Sequence, residues 1–94
     1  MDKAEARALL GQELSRYRNL FYADLLSLID NSVTFEKTSL SGTQYQLRFL
    51  VVFDDMQAQR DVRVIGDIDG GGISALRPLC DSFIMVPDGS FVGE

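Results

Sequence analysis

The N-terminal third of the chain alternates apolar and polar positions with the period of an α-helix. At about 100° per residue, Ala6, Leu10, Leu14, Tyr17, Phe21, Leu25 and Leu28 share one stripe. Glu5, Gln12, Ser15, Arg16 and Asn19 share the opposite side. Asp2 followed by Glu5 has the form of a capping box, and Asp30-Asn31-Ser32 competes for backbone hydrogen bonds, so the pattern predicts a helix over 2–30. Gly11 weakens its first turns, and the pattern leaves room for a break there or near Arg18-Asn19. Leu20, Tyr22, Leu26 and Ile29 are apolar off the stripe, which predicts cover on more than one side for the second half.

The period then changes to two. Residues 33–40 are rich in Thr, Val and Phe, and Gly42-Thr43 reads as a turn. In 44–54, Tyr45, Leu47, Phe49, Val51 and Phe53 alternate with Gln46, Arg48, Leu50, Val52 and Asp54. The first set is expected to lie on the helix; the second starts polar and becomes apolar. After a connector at 55–59, residues 60–69 read as a strand with Val62, Val64 and Ile68 on one face and Arg63 and Ile65 on the other. Gly66 is expected to mark a bulge. Gly70-Gly71-Gly72 is too entropically costly to hold a ladder. Within 73–79 a short helical turn is predicted before Pro78 stops it. Residues 82–86 form a further strand, Pro87-Asp88-Gly89-Ser90 a turn, and Phe91-Val92 a short edge strand. Short connections favour antiparallel pairing. The expected fold is therefore one α+β domain over 1–94, a long N-terminal helix packed on one face of a four- to five-stranded antiparallel meander sheet, with a short helical turn at 73–77. A helix laid across such a sheet resembles cystatin-like and nuclear-transport-factor-like architectures, which implies that helix and sheet can enclose a pocket.

Composition narrows the function classes. The chain has 94 residues, 46% of them hydrophobic, which suffices for a core. A domain this small still leaves a thin stability margin, so leftover apolar surface is best hidden by association. Nine basic against fourteen acidic residues give a net charge of -5. That sign opposes nucleic acid and anionic membrane surfaces, so neither is expected as a partner. No apolar run reaches membrane-spanning length, and the N-terminus lacks a basic-then-apolar leader. Cys80 is the single cysteine, which excludes an intrachain disulfide and points to a reducing, cytoplasmic compartment. Cys80 itself reads as a small buried hydrophobe.

The chain contains no histidine, which removes Ser-His-Asp and Cys-His catalysis and the usual zinc sites. Gly70-Gly71-Gly72 matches neither a P-loop nor a dinucleotide fingerprint. No cofactor is expected, and the chain reads as non-enzymatic. Asp67 and Asp69, leading into the glycines, are the candidate ligands for a hard cation such as calcium, although the remaining ligands of a calcium loop are missing. Asp54-Asp55 is a paired carboxylate on a polar connector, where both groups stay ionised. Phe91 reads as a core anchor.

The apolar excess on the sheet is the remaining signal. Leu50, Val52 and Ile65 project from the face opposite the helix, with Met85 and Phe83 joining them if the last strand has that register. Either residues 73–79 fold back with Ile73, Leu76 and Leu79 to cover this face, or it is an interface for protein, self or other, with a homodimer as the simplest case. The expected function is a non-enzymatic interaction or self-associating module. The alternative is a ligand-binding or enzymatic domain with Tyr17, Tyr22, Tyr45 and Arg48 lining a pocket between helix and sheet.

Overall fold

The computed structural model describes residues 1–71 and 77–94. Its elements are α1 (Lys3–Arg18), α2 (Tyr22–Ser27), β1 (Ser32–Thr38), β2 (Gln44–Phe53), β3 (Val62–Asp69) and β4 (Leu79–Met85). The strands form one open antiparallel meander in the order β1-β2-β3-β4, with the helical layer packed on one face. This is the α+β architecture that the periodicities imply. The helical turn expected at 73–77 falls, apart from Arg77, outside the described residues.

The helical segment is two helices rather than one. The Asp2 side chain accepts the Glu5 amide at 3.1 Å and starts α1, which buries Ala6, Leu10 and Leu14. Asn19 ends it, and Phe21 adopts an extended backbone with φ -74° and ψ 158°. The Phe21 amide donates to Asp24 Oδ2 at 2.9 Å, which fixes the start of α2. The reason for the break is distance. A straight helix over 2–30 would run about 43 Å at 1.5 Å per residue. The chain must instead descend onto the sheet, where the Asp30 amide donates to the Val51 carbonyl at 2.7 Å. Consequently Leu25 is fully buried while Phe21, placed on the apolar stripe by periodicity, is 81% exposed.

The alternation in β2 is realised: Tyr45, Leu47, Phe49 and Val51 are buried under the helices. Val62, Val64 and Ile68 of β3 join them. Gly66 does not form a bulge. It pairs regularly with Phe49 and Asp81, and the glycine is required because a Cβ there would lie 2.5 Å from the Phe49 ring and 3.0 Å from Leu10 Cδ1. β4 is longer than expected. It begins at Leu79, and Phe83 and Met85 face the helices as core residues. Residues Phe91 and Val92 make a single bridge, Met85 to Phe91, instead of a strand. Phe91 is half-buried and packs edge-on against Phe83 at 5.5 Å, as a core anchor should.

Candidate functional site

The strand register assigns the open-face side chains. Across β1 to β4 the rows run Thr34–Arg48–Asp67–Cys80, Ser32–Leu50–Ile65–Ser82, over β2 to β4 Val52–Arg63–Ile84, and over β1 to β3 Glu36–Gln46–Asp69, where Asp69 is buried. Leu50, Val52 and Ile65 therefore lie where the sequence placed them, away from the helices. Leu50 is 36% exposed, and Val52 and Ile65 are half-buried. Met85 does not join them. It is 2% exposed on the helix side, and Ile84 occupies the open face in its place. Phe83 is likewise on the helix side. The error has a plain cause: Phe83-Ile84-Met85 is apolar throughout, so its parity is invisible until the ladder is paired. The residues before it give no cleaner signal, since Asp81 falls on the same side of the strand as Leu79 and Phe83.

Charges adjoin and enter this apolar group: Arg48 and Asp67 lie in the next row, and Arg63 stands between Val52 and Ile84. Arg48 Nε sits 3.0 Å from Asp67 Oδ1, and Arg63 Nη2 sits 2.8 Å from Asp54 Oδ1. Arg63 Nη1 also donates to Ser82 Oγ at 3.2 Å. The Asp67 carboxylate holds the Arg48 guanidinium charged, pushing its pKa up. Asp67 is thus committed to Arg48, and Asp69 Oδ1 accepts the Gly71 amide at 2.8 Å. A cation at Asp67 would have to displace that guanidinium. Among the described residues no group of three or more acidic or cysteine side chains gathers for a metal. Asp54 is an ion-pair partner, and Asp55 Oδ1 accepts the Gln57 amide at 2.9 Å to close the connector turn. Cys80 is exposed, because its side of β4 is the open one. Of the segment proposed to cover this face, Leu79 packs with the core on the other side, and Ile73 and Leu76 lie outside the described residues.

The four tyrosine and arginine candidates are not brought together. Tyr45 is buried, and its hydroxyl donates to Glu5 Oε1 at 2.9 Å. The Tyr22 hydroxyl donates to the Arg60 carbonyl. Arg48 is on the open face. Tyr17 alone lines a cleft between α1 and β1, with Glu13, Arg16, Leu20 and Phe35, of about 430 Å³. The cleft exists because α1 packs on β3 and β4, leaving the β1 side of the sheet thinly covered. Its floor is aromatic: Tyr17 stacks on Phe49 at 5.2 Å and Phe35 on Phe49 at 6.0 Å.

Glu13 is not singled out by the sequence, although the helical period places it at the edge of the apolar stripe, about 20° from Ala6. It is 4% exposed at the cleft wall, where Lys37 Nζ donates to Oε1 at 2.6 Å and Arg16 Nη1 to Oε2 at 3.3 Å. Burial, reinforced by the Glu13 charge, pushes the Tyr17 hydroxyl pKa up. A second concavity of about 440 Å³ opens beside Phe21, Tyr22 and Pro87. Arg18 stands at its edge with its guanidinium 4.8 Å from the Phe83 ring and 5.0 Å from that of Phe91, and ion-pairs with Glu94. That contact ties the C-terminal turn to α1. Among the described residues no helix is long and apolar enough to cross a membrane. The chain matches no protein-family model, no curated protein and no solved structure.

Proposed function

We propose that this protein is a non-enzymatic self-association module that pairs with a second copy through the open face of its sheet. One observation carries the reading. Leu50, Val52, Ile65 and Ile84, from three adjacent strands, share the face that carries no helix among the described residues, and none of them is fully buried. The border favours a like partner. Arg48 with Asp67 and Arg63 with Asp54 are neutralised within the chain, so stacking two such faces brings no net charge into the contact. Arg63 stands among the apolar side chains, between Val52 and Ile84, and arginine is enriched in protein interfaces. The exposed single thiol, Cys80, suits a reducing, cytoplasmic setting for such an assembly.

Ile65 sits at the centre of the patch, paired with Leu50 and Ser82. Its replacement by aspartate puts a charge where two copies would meet and leaves the helix-facing core untouched. Light scattering across a concentration series should show the parent chain passing from monomer to dimer and Ile65→Asp remaining monomeric, with unchanged circular dichroism. A parent chain that stays strictly monomeric at millimolar concentration overturns the proposal.

A further inference from the structure

We propose that the cleft between α1 and β1 is a binding site for a small arylalkyl carboxylate, an aromatic ring joined by a short chain to an anionic carboxyl group. The site is separate from the open sheet face, being on the opposite side of the sheet. Its volume of about 430 Å³ suits a small organic molecule. The floor supplies ring-stacking surface from Tyr17 and Phe35, both packed on Phe49, with Leu20 as an aliphatic wall.

Charge selects the anion. Of the lining residues Arg16 and Glu13 cancel, and Lys37, 2.6 Å from Glu13 Oε1, adds a positive charge beside the cleft on a molecule whose total is -5. Both Glu13 oxygens are already engaged, Oε1 by Lys37 and Oε2 by Arg16, so the carboxylate is poorly placed to accept from a cationic ligand. Arg16, by contrast, uses Nη1 for Glu13 while its side chain is 77% exposed at the cleft mouth. A guanidinium has five N–H donors in a planar fork, a good match for a carboxylate. Glu13 therefore tempers the charge of Arg16 and Lys37 and is not itself the group that selects the anion.

The test is an amide-shift NMR titration of the full chain with hydrocinnamate and, separately, with its neutral amide. The expected result is a set of saturating shifts centred on Glu13, Arg16, Tyr17, Leu20 and Phe35, with the acid bound about tenfold more tightly than the amide. Added salt should weaken the acid alone. Arg16→Gln, at an exposed position, should reduce binding of the acid and leave the amide unchanged. Glu13→Gln should act in the opposite direction and tighten the acid, because it removes the negative charge and keeps both cations. A role for Glu13 confined to stability would not produce that gain. Equal binding of acid and amide, shifts absent from the cleft, or an Arg16→Gln variant that binds the acid as the parent does would overturn the proposal; Glu13→Gln is a supplementary arm, and the Arg16→Gln comparison stands if that variant fails to fold.

Discussion

At Gly66 the sheet has no room for a methyl group. The ring of Phe49 and the Cδ1 of Leu10 converge on the place a Cβ would take, so the glycine lets α1 sit close to β3. Gly66→Ala is expected to lower stability by about 1–3 kcal/mol through overpacking, measured by chemical denaturation. A second residue-scale constraint is Glu5, which α1 offers to the β1–β2 turn. Ser41 Oγ and the Tyr45 hydroxyl both donate to Oε1 at 2.9 Å. Hydrogen bonds from Ser39 and Ser41, then from Tyr45, hold its pKa below the ordinary carboxylate value. A carboxylate depressed in the folded state contributes stability above its unfolded pKa and loses it as pH falls through the folded one. Glu5→Gln should therefore destabilise the protein at neutral pH, and its deficit relative to the parent should shrink as acid is added. Melting temperatures of both chains from neutral to acid pH would show converging curves; parallel curves would refute the assignment.

At the scale of elements, α2 is too short to persist alone, since isolated helices below about a dozen residues are marginal in water. Its stability comes from Leu25, fully buried against the sheet. Leu25→Ala should cost about 2–5 kcal/mol and raise hydrogen exchange at 22–27 well before it affects β2. The elements also explain what sequence reading could reach. β2 was legible because five apolar residues alternate without interruption over 45–53, and with it the outward placement of Leu50 and Val52. The same parity, carried into 60–69, placed Ile65. β4 was not, because Phe83-Ile84-Met85 offers no polar residue to mark a face; its parity is decided by pairing Val64 with Phe83. The break between the helices had one polar signal, Asn19, but the descent onto Val51 that enforces it is a tertiary contact. The link from Glu13 to Lys37 joins residues 24 apart in the chain. It depends on where α1 crosses the sheet, which no local pattern encodes.

For the whole molecule the governing fact is asymmetry between the two sides of one sheet. On one side the helices and the strands enclose a continuous core, from Ala6 through Met85. On the other, a polar and charged surface carries an apolar centre whose neighbouring charges are already paired. A chain of net charge -5 repels its own copies at long range, so association through this face should strengthen with salt until the repulsion is screened. The most direct measurement uses a mixture of isotope-labelled and unlabelled chains at millimolar concentration, with NMR recording contacts between copies only. Cross-copy contacts among the methyl groups of Leu50, Val52, Ile65 and Ile84 are the expected result. Methyl contacts confined to single chains, together with a monomer's diffusion rate at the same concentration and high salt, would contradict it.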